Sequence, residues 1–348
     1  MTQRELNRAL LARQLLLERV RLPLPRAVER MGGIQNQYAP SAYIAMWARV
    51  NDFEREHLTR ALERRTLIQG TLLRWTIHVV SRRDYWPWAE AVREPQREWQ
   101  QRTWPQQAAL REDANRALRA ALRHGPRHRT ELIGLVGKDA FQAADLEIVR
   151  APPSGTWENR RAHLYAAAED WVGPKDADPE AGRELLVRRY LGAFGPARVA
   201  DIAGWSGIGT ERVKRALQRI DLRRFRDEQG RELVDLPRAP LPDTDAPAPP
   251  RFIGHFDAML LVHARRTGVL PEEYRPLVFN TKQPASVATF LLDGVVAGAW
   301  RVERAGGRAT LRREPFAPLR ASGRRSLADE AERLLRWLER DATSYAVR

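Results

Sequence analysis

Two glutamines stand two residues apart in Gly33-Ile-Gln35-Asn-Gln37-Tyr38, between the predicted end of one helix and the start of the next. Residues two apart in an extended link point to one side, so these carboxamides would project together. A carboxamide accepts and donates hydrogen bonds but exchanges no proton near neutrality. The pair could orient a polar group or a water; it could not serve as general acid or base. Spacing alone favours a plainer role, loop solvation or helix capping.

Other chemistries find little footing. The 348-residue chain has no cysteine, which removes disulfides, thiolate nucleophiles, iron–sulfur clusters and cysteine-held zinc. Gly207-Ile-Gly209 has no predicted strand before it and no third glycine in register, so it reads as a turn and not a dinucleotide fingerprint. Gly204-Trp-Ser206-Gly207 places Ile208 where a nucleophile elbow requires glycine. No P-loop and no HExxH run occurs. Of seven histidines only His124 and His128 have helical ligand spacing, and they lie in a polar stretch broken by Gly-Pro. No metal and no cofactor is expected. His78, on a strand predicted over Leu72 to Val80, shares a face with Thr76 and Arg74 and is expected at the surface as a wing contact.

The elements that must position the glutamines can be read around them. Thr2 to Glu5 has the form of a capping box, opening a helix carrying Leu6, Leu10 and Leu17. Pro25 suits the first turn of a second helix, stopped by Gly32 and Gly33. Pro40-Ser41 starts a third, with Tyr43 and Trp47 four apart. After a charged helix over about 54 to 64, the β-branched run Thr66 to Val80 predicts a hairpin bending near Gly70. Helices followed by a hairpin are the grammar of a winged helix. Residues 82 to 125 read as charged helix with Trp86, Trp88, Trp99 and Trp104, expected to anchor packing sooner than to stack bases.

Further along, Ala151-Pro-Pro-Ser-Gly-Thr-Trp157 is a turn cluster, and Glu158-Asn-Arg160-Arg161 is expected to open an amphipathic helix ending near Trp171. A helix from Pro196 to about Gly204, a turn through Ser206-Gly-Ile-Gly209 and a helix capped by Thr210 form a helix-turn-helix. The turn Asp227 to Gly230 then gives it a wing. Six prolines between Pro237 and Pro250 make an extended connector. Asp293-Gly294 predicts a type I′ hairpin, Ala309 to Arg312 a further strand, and Ser326 to Arg340 a closing helix. The fold class expected is α+β, mostly helical, with three tandem winged helices and a small C-terminal β-rich element. The divisions are 1–125 (with the glutamine link and a helical extension), 126–182, 183–250 and 251–348.

Lys and Arg outnumber Asp and Glu by 59 to 44, a net charge of +15, with a pI near 10.9. Such an excess attracts polyanions, and nucleic acid is the leading partner. No stretch approaches the roughly 18–20 apolar residues that span a bilayer, so no membrane partner and a cytoplasmic, nucleoid-associated location are expected.

Three separated segments, Gly33-Ile-Gln35-Asn-Gln37-Tyr-Ala-Pro-Ser-Ala-Tyr43, Arg65-Thr-Leu-Ile-Gln-Gly-Thr-Leu-Leu-Arg74 and Pro152-Pro-Ser-Gly-Thr-Trp157, resemble in order those of the AlkZ/YcaQ-like winged-helix DNA glycosylases. Leu191 to Ser206 and Phe256-Asp257 through Arg266 extend the resemblance over nearly the whole chain. It implies a concave basic surface built of three winged helices, and a catalytic Gln-x-Gln motif falling on Gln35 and Gln37. The substrates it implies are double-stranded DNA carrying N7-alkylated purines, bulky or crosslinked ones included, within base excision repair of alkylation damage. The middle position of that motif is usually hydrophobic; here it is Asn36. The residues expected on DNA are Arg65, Arg74, His78, Arg160, Arg161, Thr210, Lys214 and Arg215. Since Lys138, Lys175, Lys214 and Lys282 sit in no recognisable site, hydrolysis by water is expected in place of lyase chemistry, by a monomer. The competing reading is a winged-helix DNA-binding regulator without catalysis.

Overall fold

The capping box forms as written: Thr2 and Glu5 bond reciprocally at the start of α1 (Gln3–Arg13). In the computed structural model, residues 1–144, 148–160, 163–261, 268–279, 286–319 and 321–348 are described. α2 (Leu24–Met31) has its proline in the first turn and ends at Gly32 in the left-handed conformation. A two-residue strand, β1 (Ile34–Gln35), leads into α3 (Ala39–Arg49), whose whole length is buried. α4 (Arg55–Glu63), β2 (Leu67–Thr71) and β3 (Ile77–Ser81) follow.

The hairpin bends later than its sequence suggests. Gly70 lies inside β2, where the Tyr85 ring passes so close that an added Cβ would stand 2.7 Å from it. The bend falls at Leu73–Trp75 instead, with Arg74 and Trp75 both left-handed (φ 51° and 59°). Packing against Tyr85, not turn formation, is what requires glycine here.

α5 (Arg82–Thr103), α6 (Pro105–Ala108) and α7 (Arg111–Leu122) make the helical extension. Its tryptophans divide by depth: Trp86 and Trp88 are buried, whereas Trp99 and Trp104 are 38% and 48% exposed. Then come β4 (Arg127–His128), α8 (Arg129–Val136), α9 (Lys138–Ala143), β5 (Ile148–Arg150), β6 (Leu164–Ala167) and α10 (Ala168–Val172). The amphipathic helix expected from Glu158 to Trp171 is therefore corrected to a strand and one short helical turn. Leu164 to Ala167 pair with β5 on one side and β4 on the other, and those ladder bonds outweigh the local preference of Ala-rich sequence for helix. One antiparallel sheet results, in the order β1-β3-β2-β5-β6-β4.

α11 (Pro179–Phe194) packs along α5. It precedes α12 (Val199–Ser206), a turn with Gly207 and Gly209 left-handed, and α13 (Thr210–Leu217). Gly209, not Thr210, occupies the N-cap; Thr210 is the first helical residue. β7 (Arg223–Arg226) and β8 (Glu232–Asp235) form the hairpin behind it. The C-terminal part comprises β9 (Arg251–Ile253), α14 (Ala258–Leu261), α15 (Arg275–Val278), β10 (Thr289–Leu292), β11 (Val295–Ala305), β12 (Arg308–Pro315), α16 (Ala321–Leu338) and β13 (Ser344–Val347). Its sheet runs β13-β12-β11-β10-β9, parallel only between β12 and β13. Asp293 and Gly294 turn β10 into β11 with positive φ at both, as a type I′ hairpin requires.

Two buried ion pairs tie distant segments to this frame. Arg13 on α1 grips Asp235 on β8 bidentately at 2.6 and 2.9 Å, and Arg49 on α3 grips Asp257 at 2.9 Å twice. Among the described residues no helix is long and apolar enough to cross a membrane.

Candidate active site

The Gln35–Gln37 link is held open and extended by its neighbours. Gly32 ends α2, and Gly33, also left-handed (φ 75°), lets the backbone pass within contact of the buried Trp88 ring, where an added Cβ would lie 3.0 Å away. Beneath it Trp88, Tyr190, Phe194 and Trp205 form an aromatic cluster, with Trp88 and Trp205 edge to face at 5.4 Å. Ile34 and Gln35 pair with Val79 and His78 on β3, and Asn36 N–H donates to the Ile77 carbonyl at 2.7 Å. Tyr38 then opens α3.

Because the link is extended, its three side chains alternate. Asn36 points inward and is buried; Gln35 is half-buried and Gln37 exposed. The Gln35 carboxamide oxygen accepts from Arg74 Nη2 at 3.2 Å, and that of Gln37 accepts from Ile77 N–H at 3.3 Å. Each oxygen keeps a second lone pair, so each can also accept from a water.

The departure at Asn36 has a partner. Asn36 Nδ2 donates to Gln69 Oε1 at 2.8 Å, and Gln69 Nε2 donates to the Ser154 carbonyl at 3.0 Å. Gly155 makes room for this relay, since a Cβ there would stand 2.4 Å from Gln69 Oε1. The Asn36 amide nitrogen is thus satisfied at a buried position, while its Oδ1, also buried, accepts no hydrogen bond from the described residues. Gln69 lies within one of the resembling segments, yet nothing in its spacing distinguishes it from a surface glutamine. Only pairing of β2 with β5 brings it over Ser154.

Among the described residues one cation, Arg74, bonds the link directly. The Arg74 guanidinium bonds the Trp205 carbonyl at the end of α12 as well as Gln35, and burial lowers its pKa. His78 is corrected from a surface contact to a core residue: its strand begins at Ile77, not Leu72, and its ring is buried with Nδ1 3.0 Å from the Thr76 carbonyl. Burial, with the nearby Arg74 cation adding to it, holds its pKa down at about 3, so it is neutral at pH 7 and cannot pair with a phosphate. This has a consequence for stability. Between pH about 6.5 and about 3 the unfolded chain binds a proton at His78 that the folded chain refuses, so the fold loses stability as the pH falls through that window. The expected loss is at most about 1.4 kcal/mol per pH unit, and a His78→Gln variant should lack it. Urea unfolding at pH 7 and pH 5 checks this; equal slopes in the two proteins would refute it.

The other expected DNA contacts scatter over several elements. Arg65 lies with its guanidinium 4.0 Å over the Trp171 ring, and Arg160, exposed, stands 4.9 Å over Trp157 and 3.4 Å from the Tyr38 hydroxyl. Thr210, Lys214 and Arg215 are exposed on α13, with Lys214 paired to Glu211 at 2.8 Å. Arg161 and Lys282 lie outside the described residues. No cluster of three or more His, Asp or Glu that could hold a metal occurs among the described residues. A cleft of about 670 Å³ borders Arg74, between the end of α5 and the α12–α13 turn.

The sequence profile described as DNA glycosylase AlkZ-like matches residues 28–337. The chain belongs to the AlkZ-like DNA glycosylase family. Its fold is similar to the solved structure of Streptomyces sahachiroi DNA glycosylase AlkZ, with a TM-score of 0.80 at 16% identity, over 100% of this chain and 99% of that one. No curated protein sequence matches it.

Proposed function

We propose that the protein is a monofunctional glycosylase that hydrolyses the N-glycosidic bond of N7-alkylated purines in double-stranded DNA, with a water held by Gln35 and Gln37. The observation that carries this reading is the alternation along the link, which leaves two carboxamides accessible on one side while Asn36 is anchored beneath. A purine alkylated at N7 is already cationic, so its bond to C1′ breaks toward an oxocarbenium-like sugar without a protonating acid. The electron pair of that bond goes to the base and neutralises it. Water oxygen bonds to C1′, and its proton passes to solvent. Two amide oxygens, fixed before reaction, orient the water and face developing positive charge. Nothing in this scheme requires a titrating group.

An open link also suits a crosslinked purine, which cannot rotate out of the helix without dragging the opposite base. The divisions 1–125, 126–182, 183–250 and 251–348, the first three as winged helices acting as a monomer, belong to the same proposal. It is supported by the α12–α13 turn with the β7–β8 hairpin behind it. On this reading Lys214 and Arg215 meet phosphates. Lys214→Gln and Arg215→Gln should each flatten the plot of log affinity against log salt by about 0.9. Duplex titrations from low to moderate salt check this, and an unchanged slope in both would remove α13 from the interface.

The deciding experiment is incubation with duplex carrying N7-methylguanine or a bulkier N7 adduct. Free modified base and an alkali-labile abasic site are expected. No release above the spontaneous rate, with duplex binding intact, would favour the non-catalytic regulator.

A further inference from the structure

The cleft beside Arg74 brings tryptophan rings and arginines together. Trp99 and Trp104, the two tryptophans of the helical extension that are not buried, stand on its wall edge to face, with ring centres 4.8 Å apart. Ile208, fully buried, and Gly207 of the α12–α13 turn form the opposite side. Arg74 and Arg102 also line it, and neither has a carboxylate partner among the described residues. Its volume of about 670 Å³ falls in the range that holds a small organic ligand. Arg74 connects it to the Gln35 carboxamide, and α13, with its exposed basic residues, begins at its edge. Exposed indoles beside guanidiniums that no carboxylate neutralises are a combination by which proteins hold an unstacked base and its phosphate.

We propose that this cleft is a nucleotide subsite: it takes one unpaired nucleotide of the bound DNA, the base against Trp99 and Trp104 and the phosphate on Arg74 and Arg102. The nucleotide is an ordinary one near the lesion, so the purine being excised need not leave the helix. Stacking on an aromatic wall is tolerant of base identity, since every base presents a π face. The subsite therefore reads helix distortion and not sequence, a property suited to locating adducts of varied shape.

The test uses undamaged DNA, so that failure of glycosylase activity and failure of this proposal give separate results. Wild-type protein is titrated with a paired duplex and with one carrying a single unpaired thymidine, following affinity and tryptophan fluorescence. The bulged duplex should bind about tenfold tighter and quench fluorescence more. In Trp99→Ala/Trp104→Ala the preference should shrink to within about twofold, with affinity for paired duplex unchanged to a similar margin. Trp104→Ala alone, at the more exposed of the two positions, should retain about a threefold preference and covers the case in which the double variant does not fold. Arg102→Gln should weaken the bulged complex chiefly at low salt. Equal binding of the two duplexes by the wild type, or a preference undiminished in the tryptophan variants, overturns the proposal.

Discussion

Replacing Gln35 and Gln37 together by alanine is expected to slow release of N7-methylguanine from duplex DNA by about a hundredfold or more, close to the spontaneous rate. Each hundredfold corresponds to about 2.7 kcal/mol of transition-state stabilisation, a loss in the range seen when preorganised hydrogen-bonding groups are removed from an active site. Affinity for the duplex should hardly change, because neither carboxamide carries charge and phosphate contacts dominate binding. If both amides hold one water, each single variant should lose most of the effect and the double variant less than the sum of the two single losses. Because Gln35 is only half-buried and Gln37 exposed, the double variant should fold as the parent does. Single-turnover assays of base release settle the matter. A double variant as fast as the parent would mean that the glutamines cap and solvate the link and that catalysis, if present, lies elsewhere.

The second large effect concerns the frame. Asp235 is fully buried and accepts from Arg13 at 2.6 and 2.9 Å and from Arg223 at 2.7 Å. Asp235→Ala strands the Arg13 guanidinium, itself 1% exposed, without a counter-charge. Removing one partner of a buried pair costs about 3–5 kcal/mol, because the remaining charge has lost both water and partner. Arg13 would keep bonds to the Leu191 and Pro240 carbonyls, which offset part of the loss and place the expected value toward the lower figure. The urea midpoint should fall accordingly, and Arg13→Met/Asp235→Leu should recover much of it by replacing the pair with apolar contact. A fall of less than about 1 kcal/mol in Asp235→Ala would show that water reaches Arg13.

Much of the chain was legible from local chemistry. Thr2 and Glu5 specify a helix start within four residues, Gly32 a helix stop, and Asp293-Gly294 a hairpin turn, because each depends on backbone conformation and bonds between near neighbours. The turn between α12 and α13 is written in Gly207 and Gly209 for the same reason. The pairing of Gln35 with Gln37 on one side of a link follows from a spacing of two, together with the resemblance that gave that spacing its meaning.

What the sequence could not decide depends on partners far along the chain. Glu158 to Trp171 has a helical composition, but Leu164 to Ala167 within it forms strand, since β5 and β4 offer ladder bonds that no local reading includes. His78 alternates like a surface residue but is sealed in the core once β1 pairs with β3. Asn36 looks like a defect in its motif until Gln69, 33 positions away, turns its carboxamide onto it and Gly155 leaves the space. Net charge, capping and turns are sums or short-range properties, and sequence alone determines them. Burial, and with it the protonation state and hydrogen-bond partner of a side chain, is set by which segments exclude water from one another, and tertiary structure alone decides that.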